Sequence, residues 1–183
     1  MDNGASSYRR FLSGDESAFD LIMEELFYPL VFFIDRYVQD VHTAEDIAMD
    51  VFSELIVHKH RYNFKVSLKT YLFMLGRSRA LDWLRHRKVL KLVELTEAAH
   101  AEDDSATLEQ LVITDERKQA VNEALRQLPE QLRTVVHLIY FENMTYEEAA
   151  GVMKKNRKQV DNLLYRAKKE LRIILGKGGE WIV

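Results

Sequence analysis

The stretch 145–171, TYEEAAGVMKKNRKQVDNLLYRAKKEL, carries the clearest local pattern in the chain. Thr145 followed three residues later by Glu148 is the pattern of a capping box, where hydroxyl and carboxylate each satisfy a free backbone N–H. It predicts a short helix burying Ala149, Val152 and Met153, followed by a turn. Asn156, a good N-cap residue, opens a second helix. There Val160, Leu164, Ala167 and Leu171 fall at helical spacing on one face. Arg157, Lys158, Asp161, Asn162, Tyr165, Lys168 and Lys169 occupy the other. This is the layout of a helix-turn-helix. Its second helix suits the major groove of B-DNA, with its first side chains on base edges and its cations on phosphates. The same pattern also describes an amphipathic hairpin with a solvated basic face, so the rest of the chain must decide.

Working back from this stretch, Glu130 to Phe141 reads as one helix burying Leu132, Val135, Val136, Leu138 and Ile139, and Pro129 separates it from a helix over 108–128. Gly176 closes the last helix. With only two prolines and seven glycines in 183 residues, long stretches are free for helix, and nothing reads as strands joined by tight turns. The expectation is an all-α chain of two helical domains.

Charge is unevenly spread. Residues 1–58 hold twelve acids and three bases, and 59–92 hold ten bases and one acid, Asp82. Residues 93–130 return to ten acids and three bases, and 131–183 carry ten bases and six acids. Two basic blocks separated by acidic ones suggest two nucleic-acid contacts on one chain, although the net charge is −3. The segment 96–107, TEAAHAEDDSAT, is acidic and poor in large apolar residues, as expected of a linker.

In the first half, Asp15 is placed to cap a helix with Phe19, Ile22, Met23, Leu26 and Phe27 inside, interrupted at Pro29 and restarting there. Asp40 to His42 reads as a turn. Thr43 then opens TAEDIAMDVFSELIVHKH, with Asp46 completing its capping box and Ile47, Val51 and Leu55 forming an apolar stripe. Asp46, Asp50 and Glu54 form an acidic stripe at four-residue spacing. Met49, Phe52 and Ile56 lie off the apolar stripe, as a second core face or a docking surface. Lys59 to Thr70 reads as a loop, with Tyr62 and Phe64 as core anchors or as platforms for unpaired bases. The helix that follows, SLKTYLFMLGRSRALDWLRHRKV, interleaves Trp83 with Arg77, Arg79, Arg85, Arg87 and Lys88.

The absence of cysteine removes disulfides and Cys-based zinc sites. No apolar run reaches the roughly 18 residues that span a bilayer, and the start MDNGASSYRR lacks the apolar core of a signal peptide. The expectation is a cytoplasmic protein without membrane insertion. With no Gly-rich phosphate loop, nucleophile elbow or metal-spaced cluster, no catalytic residue, metal or cofactor is expected.

Two blocks carry a resemblance to extracytoplasmic-function (ECF) sigma factors of RNA polymerase. ALRQLPEQLRTVVHLIYFENMTYEEAAGVM with KQVDNLLYRAKKELR is similar to that family's promoter-recognising domain. AEDIAMDVF with SLKTYLFMLGRSRALDWLR resembles its core-binding and promoter-melting domain. The resemblance implies a core-binding and −10-reading domain at 1–92, a linker at 93–115, a −35-reading domain at 116–176 and a tail at 177–183. It implies core polymerase contacts at Asp46, Met49, Asp50 and Phe52. Contacts to the −10 element would come from Tyr62, Asn63, Lys69, Arg77, Ser78, Asp82, Trp83, Arg85 and Arg87. Contacts to the −35 element would come from Arg157, Lys158, Gln159, Asp161, Asn162, Tyr165, Arg166 and Lys169. Promoter DNA, core polymerase and an anti-sigma partner are the partners it implies.

The chain departs from the family pattern at Ser78, commonly asparagine, at Met49, commonly glutamine, and in the turn MKKN, more usually glycine-hydrophobic-serine. The competing reading is a stand-alone helix-turn-helix regulator. Such a regulator has no need of a second basic, aromatic-bearing helix beside an acidic one.

Overall fold

The computed structural model describes residues 4–94 and 116–176, and its regular structure there is entirely helical. The acidic linker, the start expected at 108 for the helix before Pro129, and the tail with Trp181 lie outside the described residues. The chain divides into two compact units, Met1–Leu108 and Glu109–Val183.

Unit one contains α1 (Ala5–Leu12), α2 (Ser17–Val38), α3 (Val41–Val57) and α4 (Leu68–Glu94). The expected break at Pro29 does not occur, because α2 runs through it. A mid-helix proline costs about 3 kcal/mol. Here Leu26, Leu30, Val31, Phe33 and Ile34 are buried on either side of it, and that packing outweighs one lost backbone hydrogen bond. Asp15 stands just before Glu16, where the chain is already helical. Its carboxyl takes hydrogen bonds from Ser17 Oγ at 2.6 Å, Arg10 Nε at 3.0 Å and the backbone of Ala18, as expected of a residue at the start of α2. The Thr43–Asp46 capping box is absent. The chain leaves α2 at Gln39 in the left-handed conformation (φ 55°) and re-enters helix at once. Asp40 is therefore the N-cap of α3, and its Oδ1 accepts the Thr43 N–H at 2.6 Å. Hydrogen bonds from the Thr43 side chain and then its N–H hold the Asp40 carboxyl below the usual range.

Gly76 lets α4 lie close against α2. A Cβ there would come within 2.8 Å of Leu30 Cδ1 and 3.2 Å of Ile34 Cδ1.

Helix α1 was not anticipated. It brings Tyr8, fully buried, under the loop after α3, where its hydroxyl shares one proton between the carbonyls of Leu55 (3.0 Å) and Lys59 (2.8 Å). Burial, reinforced by Tyr71 and Tyr62, pushes the Tyr8 pKa up to about 12. A folded-state value above the unfolded one, near 10, contributes stability that is complete below pH 10 and is lost as pH rises towards 12. That loss amounts to about 2 kcal/mol. Urea midpoints measured from pH 9 to 12 are expected to fall in the wild type and to fall less in Tyr8→Phe. Parallel slopes for the two proteins would contradict this.

Unit two contains α5 (Glu116–Gln127), α6 (Glu130–Val136), α7 (Tyr146–Met153) and α8 (Arg157–Leu175). The single helix expected over 130–141 is α only as far as Val136, after which His137–Phe141 widens into a π-helical turn. Glu142 N–H donates to His137 O at 3.1 Å and Met144 N–H to Leu138 O at 2.9 Å. The wider turn accommodates a buried pair, His137 Nε2 with Glu142 Oε1 at 3.1 Å, and stacks the His137 ring on Phe141. It leaves Leu138 in the core, Ile139 half-buried, and Tyr140 and Phe141 exposed.

Candidate nucleic-acid interface

The expected capping box forms at Thr145, and Asn156 caps the second helix as expected, completing there a second box with Gln159 that was not anticipated. Thr145 Oγ1 accepts Glu148 N–H at 3.2 Å while Glu148 Oε2 accepts Thr145 N–H at 2.9 Å. Asn156 Oδ1 accepts Gln159 N–H, and Gln159 Oε1 accepts Asn156 N–H, both at 2.9 Å. Gln159 is exposed, but its carbonyl oxygen is committed to this cap. The turn closes as a Schellman motif. Lys155 N–H donates to Ala150 O and Lys154 N–H to Gly151 O, with Lys154 left-handed at φ 53°. A side chain in that conformation costs about 1 kcal/mol, which the two bonds and the capping boxes hold in place. Beneath the turn, Ala149, Val152 and Met153 meet Val160, Leu163, Leu164, Ala167 and Leu171 in the core.

Packing of this face turns the other face of α8 outward. Lys158, Asp161, Asn162, Tyr165, Arg166 and Lys169 are all exposed, Tyr165 by 72%. Lys158, Asn162, Tyr165 and Lys169 form one stripe by helical spacing. Arg157 is exposed and reaches back to Glu147 of α7 at 3.3 Å.

In unit one the expected residues separate. Asp46, Met49 and Asp50 are exposed on α3, Met49 by 50%, with Ile56 beside them. Phe52 is 1% exposed and packs on Phe19 and Phe27. It therefore belongs to the core face with Ala48, Val51 and Leu55, a correction to its expected place at the docking surface. Tyr62 is likewise an anchor, 3% exposed, with its hydroxyl donating to Val66 O at 2.6 Å and its ring against Tyr8, Phe64 and Tyr71. The aromatic cluster gained from α1 buries it, so it holds the loop and is not itself an open stacking platform. Asn63, next to it, is exposed, and its Oδ1 accepts the Lys65 N–H at 3.1 Å.

On α4, Lys69 lies 5.7 Å from the Phe73 ring and Arg87 5.1 Å from the Trp83 ring. Asp82 pairs with Arg85, both exposed, while Arg77 and Ser78 are half-buried. Arg79 pairs with Glu54 and lies 3.9 Å from Asp50, and Arg87 acts on Asp40 at the start of α3. The two helices are thus antiparallel, with the Arg79–Trp83–Arg87 stripe towards α3. Ser78, Asp82 and Arg85 lie along another stripe. Glu54 also holds Arg61 of the loop. Hydrogen bonding from Arg79, then the charges of Arg79 and Arg61, keep its carboxyl below the usual range.

Glu54 and Asp50 of the acidic stripe thus face cations, Asp46 is exposed, and no cluster of potential metal ligands occurs among the described residues. Nor is any helix among them long and apolar enough to cross a membrane. Sequence reasoning missed two contributors to this surface, Tyr8 and the Glu54 pairs. The stripe at 46, 50 and 54 was the only signal for Glu54, and its partners depend on how α3 and α4 pack.

Comparison with known proteins agrees with this geometry. Residues 118–171 match the family Sigma-70, region 4, and residues 25–89 match Sigma-70 region 2. The RNA polymerase sigma-H factor of Pseudomonas aeruginosa is 28% identical over 170 residues, covering 88% of each chain. The ECF RNA polymerase sigma factor SigM of Bacillus subtilis is 24% identical and covers 80% of this chain and 88% of its own. Among solved structures, the fold is similar to the sigma factor RpoE, in complex with the anti-sigma factor NepR from Bartonella quintana. That match has a TM-score of 0.68 at 21% identity, over 86% of this chain and 96% of the other. It is also similar to CnrH in complex with the cytosolic domain of CnrY, with a TM-score of 0.64 at 19% identity over 94% of each. With region 2 and region 4 in order along one chain, this protein belongs to the sigma-70 family, as an alternative sigma factor of the ECF type.

Proposed function

We propose that this sigma factor docks on core RNA polymerase through the exposed Asp46, Met49 and Asp50 of α3 and brings two separate DNA-reading surfaces to a promoter. Asn63 of the loop and Lys69, Arg77, Ser78, Asp82, Trp83, Arg85 and Arg87 of α4 engage the −10 element. Ser78 offers one hydroxyl where relatives commonly offer an amide. Lys158, Asp161, Asn162, Tyr165, Arg166 and Lys169 of α8, with Arg157 and Gln159 at its capped start, read the −35 element in the major groove. The functional division follows 1–92, 93–115 and 116–176, with 177–183 as a tail. The protein supplies no catalytic group, since nucleotide chemistry belongs to the polymerase, and it acts in the cytoplasm. An anti-sigma partner, of the kind seen with RpoE, completes the set.

The observation that carries this reading is the exposed basic face of α8 on the second unit, together with the cation-bearing α4 and the exposed Asp46, Met49 and Asp50 of α3 on the first. Transcription in vitro from fragmented genomic DNA, with core polymerase alone and with the protein added, tests it. New discrete transcripts sharing two upstream elements are expected. No new transcripts and no co-elution with core would replace the reading with the stand-alone regulator.

Asp161 makes a narrower test. A carboxylate is repelled by phosphate but accepts from a cytosine N4 amino group. Asp161→Ala is expected to bind DNA no more weakly overall while losing about 1–3 kcal/mol of discrimination at one −35 base pair. Binding to every single-base −35 variant in unchanged rank order would refute a role in sequence choice.

A further inference from the structure

Glu54 joins three elements. Its carboxylate is mostly buried, with 13% of the side chain exposed, yet it pairs at once with Arg61 of the loop and Arg79 of α4. Asp50 stands one turn away, 3.9 Å from Arg79. These side chains, with His58, line an open cleft of about 420 Å³. Two acids and two arginines leave the cleft with no net formal charge, although Arg61 and Arg79 lie within the first basic block. The loop they border has little backbone pairing of its own. Tyr8 and Tyr62 hold it from beneath, through Lys59 O and Val66 O. From α3, Glu54 holds it by Arg61, two residues before the exposed Asn63.

We propose that Glu54 is a positioning residue that determines −10 specificity. By occupying Arg61 and Arg79 it fixes the loop bearing Asn63 and withholds two guanidiniums from the DNA backbone. This rests on the assignment of the loop and α4 to the −10 element. Phosphate contacts carry affinity without sequence information, so a cation released into this cleft strengthens binding to every sequence alike. A carboxylate among DNA-facing arginines thus serves discrimination at the expense of affinity.

The test uses the holoenzyme formed with core polymerase, comparing wild type, Glu54→Gln and Arg61→Gln/Arg79→Gln. Binding to promoter fragments with single-base −10 changes is measured at several salt concentrations, together with affinity for core. Glutamine keeps the size of Glu54 and removes its charge. For Glu54→Gln, preference for the best −10 sequence is expected to fall about tenfold, the scale of one mismatched base pair. The salt dependence should steepen by about 0.7 in log–log slope for each arginine that reaches a single-strand phosphate. Affinity for core should stay within twofold. The double arginine variant should lose discrimination without the steeper slope, and adding Glu54→Gln to it should change nothing further. Should Glu54→Gln fail to fold, the double variant carries the test, and retained discrimination there overturns the proposal. Unchanged discrimination in a folded Glu54→Gln holoenzyme overturns it as well, as does a parallel loss of core affinity, which marks a general structural role. A wild-type holoenzyme indifferent to the −10 changes would remove the loop assignment itself, and the proposal with it, and is recognised without any variant.

Discussion

Phe33→Ala is expected to destabilise unit one by about 3–5 kcal/mol. Phe33 is fully buried at the crossing of α2 and α4, with its ring centroid 4.8 Å from that of Phe73 and 5.4 Å from that of Tyr37. Its removal strands the facing ring in a cavity that α2 cannot collapse into, because Gly76 already brings the two helices to contact at Leu30 and Ile34. Domains of this size are stable by roughly 5–15 kcal/mol, so the loss is a large share of the total. Tyr28, on the same helix but 58% exposed, provides the comparison, since its truncation should move stability by about 0.5 kcal/mol or less. Denaturant unfolding followed by circular dichroism measures both. Equal midpoint shifts for the two variants would show that the crossing is not where unit one stores its stability.

The second large effect is expected from Lys158→Gln/Arg166→Gln/Lys169→Gln. All three residues are exposed on α8, outside its core face. If each neutralises one phosphate of duplex DNA, their loss should flatten the salt dependence by about 2.7 in log–log slope and weaken binding near 0.15 M salt by about two orders of magnitude. The weakening should be uniform across −35 sequences, in contrast to Asp161→Ala. Helix stability should hardly change, because none of these side chains takes part in either capping box. An unaltered slope, or a reordering of preferred sequences, would mean that the three cations contact bases and not backbone.

Most of the helical hairpin was legible, namely the Thr145–Glu148 box, Asn156 as a cap and four of the five buried positions of α8. The return bond from Gln159 and the burial of Leu163 were not read. Capping boxes are short-range chemistry, and Thr145–Glu148 and Asn156–Gln159 are set by spacing alone. The apolar face of α8 follows from periodicity in the same way. Failures arose where tertiary packing competes with local preference. Pro29 is a helix breaker by local rules, yet α2 continues through it because buried neighbours on both sides hold it in the helix. Thr43 and Asp46 satisfy the spacing of a cap, but Asp40 takes the position first, since the chain turns at Gln39. Phe52 and Tyr62 stood beside exposed candidates in the sequence, and only α1 and the crossing of α2, α3 and α4 bury them. Pairing of Glu54 with Arg61 and Arg79 needs an antiparallel packing of α3 and α4 that no local signal encodes.

The π-helical turn at His137–Phe141 sets an angular phase. A regular α-helix advances about 100° per residue, and the wider turn takes up one residue beyond that rhythm. Everything after Asn143 is indexed from it, including the outward stripe of α8. One residue fewer between Val136 and Asn143 would rotate the direction in which the hairpin leaves α6 by about a quarter turn, with every residue of α7 and α8 unchanged. Chain length across this turn is thus a property of the DNA-reading surface, as much as the side chains on α8 are. The buried His137–Glu142 pair is the pin that keeps that setting.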